Sequence, residues 1–239
     1  MSYFFLTVQE SISAQYRKGE RPRSADFNDP DIVAAHRLLA WARSLFFKYS
    51  LWPADLPNPE HVSEEDVDYT GKVNNIFLQA AIFCLAHELG HLVSGHCEVF
   101  AGLRNSQERE AALAEMKSLE NEADQYARNF LTSVCEKDSE ECVRLFGVLV
   151  AYLGMLFSYK DVRSLRGTTH PDLDTRIFNT LLSTQITDPG YREVLIMVTT
   201  LGLKYFLGLT GNDFETKVFE DANEMLEFYM RECDRLKEL

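Results

Sequence analysis

Apolar residues recur along this chain at helical spacing, in runs separated by Pro, Gly and Asp clusters. Phe77 to Val93 is apolar almost all round, which predicts a buried central helix ending around Ser94-Gly95-His96. Upstream, Asp29-Pro30 supplies an N-cap and a first-turn proline. The helix they open carries Ile32, Val33, Ala35, Leu39, Ala40, Phe46 and Phe47 on its apolar side and should close near Trp52-Pro53. Pro53, Pro57 and Pro59 make residues 53 to 60 a rigid connection, and Ser63 to Asp66 caps one short helical turn. Downstream, a cap at Asn105-Ser-Gln-Glu108 opens a long charged helix running to about Cys135. Helices follow at about 140 to 160, at about 171 to 184 with Pro171 in its first turn, and at 189 to 208 behind Asp188-Pro189. An amphipathic helix from Asp213 to about Lys237 presents Phe214, Val218, Ala222, Met225, Phe228, Tyr229 and Leu236.

Two stretches read differently. Tyr3 to Val8 suits a short strand, and Asp68 to Asn74, with Tyr69, Gly71 and Val73, suits a strand or hairpin edge. Such an edge would offer an extended peptide something to pair with. Arg17 to Asn28 reads as a loop. The expectation is a mainly α fold, one domain over 1–239 with a motif core at about 75–180 and room for a small β edge.

Composition narrows the partners. Twenty-four basic residues stand against 37 acidic ones, a net charge of −13, and no basic stripe appears, so nucleic acid is excluded as a partner class. Cys84, Cys97, Cys135, Cys142 and Cys233 are odd in number and form no CxxC pair, which points to reduced thiols and a cytoplasmic location. The first ten residues lack the basic n-region of a signal peptide. The nearest approach to a membrane span is Leu145 to Tyr159, fifteen uncharged residues. As a helix this covers roughly 22 Å, short of the roughly 30 Å hydrocarbon core, so a buried helix is expected and no membrane span. Oligomeric state is not indicated.

The chemistry concentrates in His87-Glu88-Leu-Gly-His91, an HExxH sequence. Residues four apart share a helix face, so both imidazoles can meet one Zn2+ ion, while Glu88, about 100° further round, can reach a water beside it. A zinc hydrolase needs these parts and a third protein ligand. His96 is one candidate, although Gly95-His96 also reads as a helix C-terminus. Glu120, 29 residues past His91, is the favoured one. Projected at about 100° per residue, it lies at the edge of the face formed by Leu119, Ala123, Ala127 and Phe130. Asp124 stays beside it one turn on, placed to accept from a ligand His, and Glu122 points toward solvent. The small Ala123 and Ala127 allow close approach of the two helices.

The HExxH followed by Glu120-x-x-Ala123-Asp124, and then by His170-Pro171 with Arg176 six residues after the His, resembles the gluzincin metallopeptidases of the CAAX-prenyl-protease and HtpX type. The long transmembrane helices of those enzymes are missing, and the nearest resemblance is to the soluble Lit-type phage-exclusion peptidases, known for cleaving a translation elongation factor. The ImmA/IrrE-type repressor peptidases share HExxH and the acidic segment, but the His170-Pro171 motif fits them less well. The resemblance covers residues 87 to 176.

The resemblance implies a zinc endopeptidase acting on an intracellular protein substrate. Zn2+ would be held by His87, His91 and Glu120, with Glu88 as the base and His170 as a donor to the tetrahedral oxyanion. Arg176 would hold the loop of His170, pair with Glu120 or Asp124, or form a plain salt bridge. The competing expectation is a catalytically inactive zinc-binding regulatory or interaction protein; an intact Glu88 counts against it, because a structural zinc site needs no base.

Overall fold

A computed structural model describes residues 1–17, 28–58, 60–104, 107–212 and 219–239. Among them the regular structure is helical: α1 (Ser2–Arg17), α2 (Pro30–Ser44), α3 (Val67–Val93), α4 (His96–Leu103), α5 (Arg109–Thr132), α6 (Asp138–Leu156), α7 (Leu173–Leu182), α8 (Pro189–Leu209) and α9 (Ala222–Lys237), with 3-10 turns at Glu64–Asp66 and Val162–Leu165. The mainly α expectation holds. The β edge does not, since no described residue is in a strand.

The reasons are periodic. Phe4, Phe5, Val8 and Ile12 are all buried, and that spacing continues past Val8 on one helix face, so the chain from Ser2 coils instead of extending. Tyr69, Val73, Ile76 and Ala80 follow the same rule, and α3 therefore begins at Val67, ten residues ahead of the predicted start. Burial of one helix face outweighs the strand preference of a tyrosine and a valine. The Tyr69 and Thr7 hydroxyls lie 2.6 Å apart and join α3 to α1.

α3 packs along both α5 and α6, and one apolar cluster runs through the molecule from Phe4 to Cys233. The uncharged run beginning at Leu145 is the buried helix α6, as expected. α3 itself is not buried all round: Phe77, Leu78, Leu85, Leu92 and Val93 are exposed, and its inner face carries Ala80, Phe83, His87, Gly90 and His91. With its extra turns, the Glu64–Val93 stretch is the one described helical segment long and apolar enough to cross a membrane, by length and composition; Leu145 to Tyr159 is not.

Other boundaries shift for local reasons. Asp29 and Asp188 cap α2 and α8 as predicted, each accepting from a first-turn N–H. α2 stops at Ser44, short of Trp52-Pro53, and Phe46, Phe47, Tyr49 and Leu51 are exposed beyond it, with no element covering them among the described residues. Pro171 precedes α7, where Asp172 takes the N-cap position. The predicted cap at Asn105-Ser106, and Phe214 and Val218, lie outside the described residues, as does most of Arg17 to Asn28.

Candidate metal centre

Close approach of α3 and α5 builds the site. A Cβ on Gly90 would lie 3.1 Å from Tyr126 Cδ1 and 3.3 Å from Ala123 Cα, so glycine inside the HExxH and alanine on the facing helix let the backbones come together. The contact seals Glu120 and Asp124 inside, 5% and 1% exposed, next to His87 and His91 at 9% and 8%.

Three donor groups then face one another. His87 Nε2 is 3.2 Å from His91 Nε2 and 3.3 Å from Glu120 Oε2, and His91 Nε2 is 3.5 Å from Glu120 Oε1. Glu120 Oε2 is buried without a well-aligned hydrogen bond. Two imidazole lone pairs and a carboxylate pointing at one spot repel unless a cation or protons lie between them. A tetrahedral zinc ion with bonds of about 2.0–2.1 Å holds its ligand atoms about 3.3–3.4 Å apart. The two imidazole nitrogens stand near that separation, Glu120 turns a different oxygen toward each of them, and one ligand atom from each of the three residues lies within 4.8 Å of the others. The residues present fit the ion.

Each imidazole is oriented from behind. His87 Nδ1 is 2.9 Å from Asp124 Oδ1, an ion-pair contact without good hydrogen-bond alignment, and Asp124 takes two hydrogen bonds from Arg176, through Nε at 2.7 Å and Nη2 at 2.6 Å. The Arg176 guanidinium lies 5.0 Å above the Tyr152 ring, whose edge meets Phe83 of α3. On the other side, His91 Nδ1 is 2.9 Å from His96 Nδ1, and His96 Nε2 is 3.4 Å from Glu122. One proton is shared between His91 Nδ1 and His96 Nδ1, and with that proton on His91 its Nε2 is a lone pair free to face Glu120.

Electrostatics agree with this wiring. Burial alone would lower the His87 pKa, but the Asp124 and Glu120 carboxylates outweigh it and lift it to about 9. A cation at Nε2 would take the place of the proton that these carboxylates favour. For His91 burial dominates and the pKa falls. Burial would raise Asp124, yet His87 and Arg176 bring it down to about 2, and Glu120 likewise ends below its usual value through His87, His170 and His91.

Glu88 is exposed on α3, beside the ligand pair and not pointing into the donor cluster. His170, 55% exposed at its side chain, reaches in from the loop before α7: Nε2 is 3.2 Å from Glu120 Oε1, and Nδ1 is 3.0 Å from the Thr169 hydroxyl. Arg176 goes to Asp124, one of the alternatives left open by the sequence. His96, weighed as a ligand, instead lies behind His91. Gly95, at φ +72°, breaks the helix so that His96 opens α4 and turns back, a reversal that residue spacing alone does not encode. Tyr152 escaped notice altogether; its one signal was a polar ring within an otherwise apolar run.

The sequence model of the family described as Peptidase U49 matches residues 1–194. The chain belongs to the Peptidase U49 family. No curated protein matches the chain, and no solved structure does. Every residue of the donor cluster and its supports falls within the U49 match, which ends inside α8; α9 lies beyond it. A U49 peptidase takes protein or peptide chains as its substrates.

Proposed function

We propose that this protein is a zinc-dependent endopeptidase of the gluzincin type, with His87, His91 and Glu120 as the ligands. The observation that carries the reading is the convergence of three donor groups, one ligand atom from each within 4.8 Å of the others, in a chain whose family is a peptidase family. Zinc bound there would lower the pKa of a water toward neutrality and polarise the scissile carbonyl. Glu88, on the open side of α3, takes the water proton and passes it to the leaving amine. His170, at the mouth of the cluster, donates from Nε2 to the developing oxyanion. Asp124 and Arg176 hold His87, and His96 holds His91, so neither ring has to reorient as charge builds up.

The target is, in this proposal, a specific protein in the cytoplasm. The resemblance to Lit-type peptidases makes a translation factor, cleaved in phage defence, the first candidate.

Elemental analysis of purified protein should find one zinc per chain, lost when His87 or His91 becomes Ala. In a chelator competition Glu120→Gln should release zinc most readily. His96→Ala should be milder, by about the 10- to 100-fold in affinity typical of a lost supporting partner, and Glu122→Gln milder still. Absence of metal from the native protein would refute the zinc reading. A ranking with His96→Ala weakest of all would move the third ligand to α4.

A further inference from the structure

α9 carries a lysine where its pattern calls for an apolar residue. Leu226, Tyr229, Cys233 and Lys237 form its buried face, and Lys237 is only 7% exposed. Its ammonium group is fully engaged: Nζ is 2.8 Å from Asp174 Oδ2, 3.2 Å from Asp172 Oδ2 and 2.9 Å from Asp234 Oδ1. Asp174 is completely buried, and burial raises its pKa in spite of Lys237. Removing a buried cation from such a cluster leaves an uncompensated carboxylate, and a Lys–Asp pair is not the cheapest way to fix a helix.

What the pair holds is the loop carrying His170. Asp172 Oδ1 accepts from the Gly167 N–H at 3.1 Å while its other oxygen meets Lys237, so one carboxylate ties the two ends of the 167–172 loop to α9. The loop is closed tightly, since a Cβ on Gly167 would come within 2.0 Å of the His170 carbonyl oxygen. Arg166 pairs with Glu238, fastening the preceding residue to the same helix end. From this base His170 extends to Glu120.

We infer that Lys237 is a positioning residue for His170: through Asp172 and Asp174 it fixes the loop so that the imidazole reaches the donor cluster. α9, outside the U49 match, is thereby part of the working site. The inference rests on the reading of His170 given above. A purely structural pin would stabilise α9 without setting the His170 ring.

The six histidine rings of the protein give separate carbon–proton correlation signals in NMR spectra, and the one that disappears in His170→Ala identifies His170. Lys237→Met should shift or broaden the His170 signal and leave those of His36 and His61 in place. Asp172→Asn, which keeps the buried Lys237–Asp174 pair, should do the same, and it decides the matter alone if Lys237→Met fails to fold. A His170 signal unmoved in a folded variant overturns the proposal, and so does a uniform shift of all six. Cleavage at the native rate by His170→Ala would instead withdraw the role of His170 in catalysis, a failure distinct from that of the coupling.

Discussion

Glu88→Gln is expected to lose cleavage by a factor of about 10² to 10⁴, the usual contribution of a positioned general base, while keeping its zinc. The amide has nearly the shape of the carboxylate but cannot take a proton from water. Glu88 lies exposed on α3 and outside the three-donor cluster, so the change removes no ligand and creates no cavity. Folding stability should stay within about 0.5 kcal/mol of native, as for surface substitutions generally. The substrate need not be known in advance: the protein fragments produced in cells expressing the native chain are compared with those from cells expressing Glu88→Gln. Fragments seen only with the native chain report both the activity and its target. Cleavage by Glu88→Gln at the native rate would show that Glu88 is not the base. Loss of zinc along with activity would show that the carboxylate supports the metal instead.

The positions of the side chains at the centre were largely legible because helical periodicity carries them. His87 and His91 share the inner face of α3. The projection of α5 placed Glu120 at the margin of its apolar stripe with Asp124 one turn on, and both are buried. What escaped was whatever depends on how elements meet. The segments at Tyr3 and Asp68 looked like strands because short windows of β-favouring residues hide a 3.6 period that shows only over two turns. The exposed Leu85 and Leu92 made α3 look buried on all sides, since composition does not say which apolar face finds a partner. His96 is five residues from His91, a spacing with no common helix face, and it contacts His91 only because Gly95 reverses the chain. Lys237 stands at the end of the predicted amphipathic helix and is not among its apolar positions, yet it is buried. Its burial depends on Asp172 and Asp174, more than sixty residues earlier in the chain.

Arg176→Met is expected to produce the largest loss of stability of any single change at the centre. Asp124 is 1% exposed and receives two hydrogen bonds from the guanidinium, at 2.6 and 2.7 Å, with His87 as its other partner. Methionine fills much of the arginine's volume against Tyr152 but leaves a buried carboxylate facing a single imidazole. Breaking one side of a buried pair typically costs about 3–5 kcal/mol. In a chain of this size that lowers Tm by roughly 6–20 °C, readable by calorimetry. Zinc affinity should fall as well, by about 10- to 100-fold, because His87 loses the fixed orientation that Asp124 gives it. The pH dependence supplies the sign. Native Asp124 titrates at about 2, below its unfolded value, so its contribution is complete above that unfolded value and fades as pH falls toward 2. In Arg176→Met the same carboxyl keeps its burial without the cation, and its pKa rises. The stability gap between the two proteins should therefore be widest near neutrality and narrow in acid, where the buried group is protonated in the variant. Asp124→Asn in the Arg176→Met background should recover part of the loss, since it removes the stranded charge. A gap that stays constant from neutral pH into acid would mean that Arg176 acts by packing against Tyr152, with its charge on Asp124 contributing little.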